Sequence, residues 1–502
     1  MTEARKIKRI LCVFAALAIL MQCAACGRRE ISDGELIIEQ GENNISLPVY
    51  GADSLNPIRT LSKSAAQALF AVYEPLFDFD DKLAAQGVLA KSAELAPDGM
   101  SASVLLADGV KWHDGTDFCA EDVVYTINEI KAGDSLYKDN VAPISRAVTD
   151  GGSVRLEFYE PVMNVEGLLS FPIIKNGSAA YIEDLPCGTG AFEFASKTSN
   201  SLRLVSKTGA ADELKLCFMR NSAACISALE AGEVDVVSSA LGDLDSETPG
   251  GNISVHSYTS NRLTLLGFNC RLEKYKEPYL RMVICELIDR QKLIDNAYYG
   301  RADASLLPIN PRSAYYAPTN SLMLDAAKTM ERAGFYENGG VYADADANLV
   351  RLAILVPDTD LQRVNCANMT AGMLKDFGIS ADVEVVGFDE YSARVQSGDF
   401  DTFLGEINMQ PSLDPGFLTR GENYFGFYSE ELDAAARRLA DDPESYARCF
   451  AENPPFVPLL YAHDRVICRS ALSGISEPTF YSEYRGIENW YFKAAAGEGA
   501  NE

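Results

Sequence analysis

The sequence predicts an α/β protein of two sheet-bearing lobes with a cleft between them. Three observations carry this. The chain has 502 residues, long for one domain and ample for two lobes. At 47% hydrophobic and 23% charged residues, it has the composition of a globular protein with a large core. Past residue 348, strand-length apolar runs alternate with helical patterns, and that order implies a parallel sheet with right-handed crossovers.

The elements follow in chain order. Residues 1–25 read as an export signal: Arg5, Lys6, Lys8 and Arg9 precede an apolar run from Ile10 to Met21, too short to cross a bilayer comfortably. CAAC ends at Cys26, and small residues before a cysteine resemble a bacterial lipoprotein cleavage site, which makes Cys26 the expected lipidation site. Residues 26–35 then form a polar tether. Short strand-like runs and a turn at SLNP occupy 36–57, and AAQALFAVYEPLF at 65–77 reads as a helix stopped near Pro75. Short strands and one helix fill 88–160. LRLVSK and LKLCFM read as strands, Cys225–Glu233 as a helix, and VDVVSS as a strand.

TLLGFNC at 264–270 is a buried strand. Pro278 suits a first helical turn, and Leu280, Val283, Ile284, Leu287 and Ile288 form one apolar stripe that RMVICELIDRQKLI continues. LVRLAILV is a strand, and Cys366, Met369, Met373, Leu374 and Phe377 mark a helical face closed by Gly378. ISADVEVVG, FDEYSARVQSG and FDTFLGEI complete the series as strand, helix and strand. Residues 494–502 read as a disordered tail.

Composition narrows the function. Lys and Arg number 44 against 72 Asp and Glu, a formal charge of −28, which argues against binding of nucleic acid or anionic membrane by the body. Nine cysteines lie beyond Cys26, scattered and without CxxC spacing, so neither a compact disulfide framework nor a zinc site is expected. GxSxG, HExxH, P-loop and GxGxxG motifs are all missing, and the three histidines (113, 256, 463) have no local partner at metal-ligand spacing. No catalytic residue, metal or cofactor is expected.

The densest group of ionisable residues is GVKWHDGTDFCAEDVVYTINEI at 109–130. Asp114-Gly115 signals a turn. Val123, Val124, Ile127 and Ile130 repeat with helical spacing, which puts Glu121 and Asp122 in a first helical turn, where carboxylates suit the helix dipole. Trp112 and Phe118 read as apolar anchors around the turn. The segment is therefore scaffolding rather than an active site. CGTG at 187–190 is a turn that brings backbone close either to a ligand or to another strand.

The same segment resembles the hallmark of the peptide/nickel-type (family 5) solute-binding proteins of ABC importers. SLNPI at 54–58, YEPLFDFD at 73–80, CGTGAFEF at 187–194, ALEAGEVDVV at 228–237, YLRMVICELIDRQKLI at 279–294 and AAKTMERAGF at 326–335 match in the same order, as do FNC, LKDFGISADVEVV and SGDFDTFLGEI. The resemblance implies a two-lobe periplasmic-binding-protein (Venus-flytrap) fold with an extra α+β subdomain, about 60–160, inserted in lobe one. Lobe one is expected over 36–260 and lobe two over 261–467, with a return to lobe one over 468–493. It further implies a peptide or peptide-like ligand, ABC permease and ATPase subunits as partners, a monomer, and a place on the outer face of the cell membrane through the lipid anchor.

Family members that bind peptides often carry a Trp and then an Asp for the α-amino group where LGEINMQPSLDP (404–415) stands here. Glu406 and Met409 occupy those two places, so a plain dipeptide ligand is in doubt. Glu406 closes a buried-looking strand, where an unpaired carboxylate is costly. Glu406, Asn408 and Gln410 are therefore the candidate ligand contacts, with a cationic ligand group in view. Asp414-Pro415 fits an N-cap or turn before FLTR and is carried as a further candidate. Asn269, Phe192, Tyr424 and Phe425 are secondary candidates by their nearness to matched motifs. Other readings are a non-peptide solute such as a metal chelate, a ligand-sensing receptor without a permease, and an extracellular hydrolase; the last lacks a nucleophile–base pair.

Overall fold

The computed structural model describes residues 43–180, 186–240, 250–318 and 324–493. The expected signal, Cys26, the tether and the tail lie outside these residues. The described residues all fall within one compact unit. Among the described residues, no helix is long and apolar enough to cross a membrane.

Lobe one is built on a four-stranded sheet in the order Asn44–Tyr50, Glu213–Met219, Ser201–Ser206, Phe192–Lys197. The first strand pairs parallel with Glu213–Met219; the other pairings are antiparallel. A second, wholly antiparallel sheet is made from Ala90–Leu95, Ser101–Leu106, Ser153–Phe158 and Ile144–Asp150. It carries the helix Ala120–Ala132, whose buried Val123, Ile127 and Ile130 lie on one face at helical spacing.

The largest sheet has seven strands and contains the crossing between the lobes. Two long strands, Ile253–Phe268 and Phe456–Arg469, run antiparallel along its middle. At one end they meet Val236–Ser238, on the lobe one side. At the other they join Thr402–Asn408, which pairs parallel with Arg351–Pro357, itself parallel to Ser380–Val386. The helices Leu361–Asp376 and Phe388–Ser397 supply the crossovers, so the expected strand–helix–strand–helix–strand unit is present. Separate apolar clusters cover the two faces of this sheet, one around Leu266, Ile354 and Leu374, the other around Leu263, Leu355 and Phe403. The segment after Arg469 returns to lobe one, where Tyr481, Tyr484, Ile487 and Trp490 enter its core.

Two expected elements differ. The helix expected over 65–77 spans Lys63–Leu69. It stops early because the next carbonyls are claimed elsewhere: Ala71 O accepts from Phe192 N–H and Val72 O from Gly190 N–H. The apolar stripe from Pro278 is two helices, Pro278–Leu287 and Arg290–Ala297. Ile288 turns extended, and the Asp289 carboxylate accepts from Lys292 N–H to cap the second helix. All nine described cysteines are unpaired, with Cys217, Cys225, Cys366 and Cys468 buried.

The polar segment 109–130 is tied together as scaffolding. The buried Asp122 carboxylate accepts from Cys119 N–H (2.9 Å), Trp112 Nε1–H (3.1 Å) and Asn176 N–H (2.8 Å). Trp112 meets Phe118 edge-on at 6.1 Å. His113 Nε2 donates to Gly190 O (2.8 Å) and its Nδ1 accepts from Gly188 N–H (3.2 Å), so the neutral ring satisfies both partners. Burial lowers its pKa, in keeping with that role. The glycine loop thus serves a backbone approach within the fold: a Cβ on Gly188 would stand 1.7 Å from Val72 O.

Two outcomes follow from this packing. The Cys119 thiol lies 3.5 Å from Asp122 Oδ2, and as a weak sulfur acceptor it closes only a soft capping box at the start of Ala120–Ala132. Cys119→Thr is predicted to replace that weak sulfur acceptor with a hydroxyl and stabilise the fold by about 1 kcal/mol, read as a raised thermal midpoint; a flat or lower midpoint would count against it. Gly188→Ala is predicted to destabilise by at least about 2 kcal/mol, since its backbone neighbour cannot yield cheaply. A urea midpoint within error of wild type would refute this.

Candidate functional site: the inter-lobe cleft

A cleft of ≈ 290 Å³ lies where the two long strands pass between the lobes. Its lobe one wall includes Lys63, Gln67, Tyr137, Asn140, Tyr481 and Glu483. The crossing strands supply Tyr258, Asn261, Arg262 and Asp464, and lobe two supplies Asn408 and Pro411.

Local backbone irregularity puts these side chains in place. The pairing of Ile253–Phe268 with Phe456–Arg469 shifts register between Thr259 and Leu263. A bulge re-aims side chains and increases strand twist. Here it interrupts the apolar alternation with Ser260, Asn261 and Arg262. Across the ladder, His463, Asp464 and Arg465 break the apolar run of the partner strand. Arg262 pairs with Asp464 (2.8 Å), and its Nε stands 3.9 Å from Glu406 Oε1. Asn261 Nδ2 donates to Met409 O (2.6 Å), which joins the crossing to the 404–415 segment.

That segment also touches lobe one. Tyr481 O–H donates to Pro411 O. Leu413 is buried within the lobe one cluster and holds φ at +58°, a conformation that costs a non-glycine residue energy and persists only when packing demands it. The floor of the cleft is therefore a contact between the lobes as well as a wall.

The eight sequence candidates separate clearly. Asn408 lines the cleft and lies opposite Arg262 in the ladder. Glu406 sits two residues back on the same strand, half-buried beside Arg262. Gln410 is outside the cleft wall, and its carbonyl accepts from Leu413 N–H. The other five are placed by structure away from the cleft. Asp414 is buried, caps the turn Pro415–Leu418 through Gly416 N–H (2.8 Å), and pairs with Arg420 (2.5 Å). Asn269 is buried and donates to Gly398 O and Phe400 O. Phe192 is fully buried in lobe one, and Phe425 stacks between Phe403 and Phe456 in lobe two. Tyr424 is half-exposed, its carbonyl held by Arg271. Asp414 thus forms the cap its sequence suggests, while Asn269, Phe192, Tyr424 and Phe425, chosen by nearness to matched motifs, take part in packing and scaffold hydrogen bonds.

Sequence reasoning missed the crossing strands and the 480–483 wall. One signal was available: HDR at 463–465 is a polar triplet inside an otherwise apolar strand, and the partner strand is mostly polar over HSYTSNR at 256–262. Nothing local marked Glu483. It is buried, and that burial, ahead of weaker opposing effects from the Ser238 and Tyr258 hydroxyls, pushes its pKa up to about 8.

The model of the bacterial extracellular solute-binding proteins, family 5 (middle region), matches residues 84–425. The chain belongs to this family. Among curated relatives, it is 22% identical over 472 residues to the oligopeptide-binding protein AppA of Bacillus subtilis, covering 84% of this chain and 86% of that one. Among solved structures, an unliganded open form of the periplasmic murein tripeptide-binding protein MppA matches with a TM-score of 0.74 at 16% identity, covering 90% of this chain and 97% of that one. A nickel ABC transporter protein from Bacillus halodurans matches with a TM-score of 0.71 at 20% identity, covering 88% and 98%. Both structural matches speak to the fold: two lobes around a cleft.

The placements predict different phenotypes for two acidic residues of one segment. Asp414→Ala removes the cap on Gly416 N–H and one of the two carboxylates that hold Arg420, the other being Asp433, and is predicted to cost about 1–2 kcal/mol of stability, with solute affinity of the folded protein unchanged. Glu406→Ala and Glu406→Gln are predicted to keep the thermal midpoint within a few degrees and to weaken binding of the co-purified solute. Unchanged affinity in both Glu406 variants would remove this residue from the site.

Proposed function

We propose that the protein is the substrate-binding component of an ABC importer, capturing a short peptide or peptide-like solute in the inter-lobe cleft and delivering it to the membrane permease. The observation that carries this reading is the cleft itself. It lies on the two strands that join the lobes, and it presents both signs of charge, Lys63 and Arg262 with Asp464 and Glu483, together with amide and phenol groups. A peptide carries both signs of charge and a row of amide donors and acceptors, so its chemistry complements these walls. The volume is at the small end of the roughly 300–1,000 Å³ range of small-molecule sites, which favours a short solute.

The mechanism is binding without covalent chemistry. A solute that touches both walls binds the closed arrangement better than the open one and so shifts the population towards closure. Bending is concentrated where the ladder is already irregular, between Thr259 and Leu263. AppA is named as oligopeptide-binding and MppA as a murein tripeptide binder, which supports a peptide-like cargo. We further infer that lipidation at Cys26 holds the protein, as a monomer, at the outer face of the membrane beside its permease and ATPase partners.

Mass spectrometry of solute released from the purified protein tests the reading. A short peptide or amide-bearing zwitterion is expected. Small-angle scattering should then show a smaller radius of gyration with that solute than without it. Recovery of a metal chelate alone, or an unchanged radius with saturating solute, would refute the corresponding part.

A further inference from the structure

Glu483 is the least explained charged residue of the cleft. It is only 5% exposed, yet it belongs to the lobe one wall. Its Oε2 has no hydrogen-bond partner among the described residues. The hydroxyls of Tyr258 and Ser238 lie close to it, one on a crossing strand and one on the short strand Val236–Ser238, and neither closes a hydrogen bond of ordinary geometry. Asn261 Oδ1, on the same cleft, is a further buried acceptor without a partner. Buried polar atoms are nearly always satisfied in folded proteins, so orphans gathered at one cavity point to a missing partner. The Asn261 oxygen and the ionised Glu483 oxygen accept only, so the partner these two lack is a donor.

We propose that Glu483, with the hydroxyls of Tyr258 and Ser238, receives the ammonium group of the captured solute, the carboxyl proton passing to solvent as the ammonium arrives. The proposal rests on the peptide-like reading above and adds the atom that recognises the solute's cationic end. An ammonium is a compact donor of three hydrogen bonds, and it matches a carboxylate flanked by two hydroxyls.

The charges around Glu483 give this site a pH dependence. Asp464, on the crossing strand, disfavours ionisation of Glu483, while Lys63, on the lobe one helix Lys63–Leu69, favours it. Arg262 is engaged with Asp464 and Glu406. Tyr484, the next residue in the chain, is buried, and its own ionisation is strongly disfavoured. With a pKa raised to about 8, the empty carboxyl is mainly neutral at neutral pH and costs little to keep buried. Binding an ammonium requires the ionised form. Below the raised pKa, affinity should therefore fall by about tenfold for each unit by which the pH drops.

Native mass spectrometry with two tripeptide libraries tests the assignment. One library has free amino termini; the other is N-acetylated, and both lack Lys and Arg. Wild type is expected to retain the free-amine library at least ten times better at pH 7.5, with retention falling steeply from pH 7.5 to 5.5. Glu483→Gln is expected to fold, since the amide fills the same space without a charge, and to lose both the preference and the pH slope. Equal retention of both libraries by wild type would overturn the proposal while leaving peptide binding intact. So would a preference that survives in Glu483→Gln, or a flat wild-type pH profile, a measurement that needs no variant. Retention of neither library would bring down the peptide reading itself, and this site with it.

Discussion

The antiparallel ladder between Ile253–Phe268 and Phe456–Arg469 is the constraint on which the rest of the molecule depends. It is the spine of the seven-stranded sheet, and it carries the chain from lobe one to lobe two and back. Its lobe two end, Leu263–Phe268 against Phe456–Tyr461, is mostly apolar and buried, so lobe two grips that length of ladder. Its middle is polar and irregular, because that length faces the cleft from both strands. One pair of strands therefore joins the lobes and supplies four of the side chains that line the cleft.

The contrast between the two acidic concentrations is instructive. Asp122 sits in a dense acidic stretch but spends its carboxylate on three donors of its own scaffold. Satisfied in this way, it has no capacity left for a ligand. Glu483 stands in the aromatic stretch FYSEY, and its buried carboxyl is left with an orphan oxygen. Density of charge in sequence marked the first; the cost of burial without a partner marks the second. The thiols obey the same logic: burial pushes Cys366 and Cys285 up to about 12, far from a reactive thiolate.

Much of the fold was legible in advance, where periodicity is long and local. The unit from Arg351 to Asn408 could be read strand by strand, because Arg351–Pro357 is an apolar run, Ser380–Val386 alternates apolar with acidic residues, and its helices end at glycines in the left-handed region, Gly378 and Gly398. Failures came where a distant segment overrode a local pattern. The helix from Lys63 ends early because Gly190 and Phe192, far along the chain, take its next carbonyls. The Pro278 stripe divides because Asp289 caps a new helix midway. The site was less legible than the fold: of eight candidates, Asn408 lines the cleft and Glu406 borders it, while packing absorbs residues such as Phe192 and Phe425.

By itself the sequence determined the two-lobe α/β architecture, the scaffold role of residues 109–130 and the family, because hydrophobic period, caps and turns act over a few residues and leave their mark there. Only the tertiary structure decided which side chains form the cleft. Lys63, Arg262, Asn408, Asp464 and Glu483 come from five separate stretches of chain, brought together by the packing of lobe one against the long ladder. Whether a carboxylate is a cap, a salt-bridge partner or an unsatisfied group facing a solute depends on the donors around it, and those donors are neighbours in space rather than in sequence.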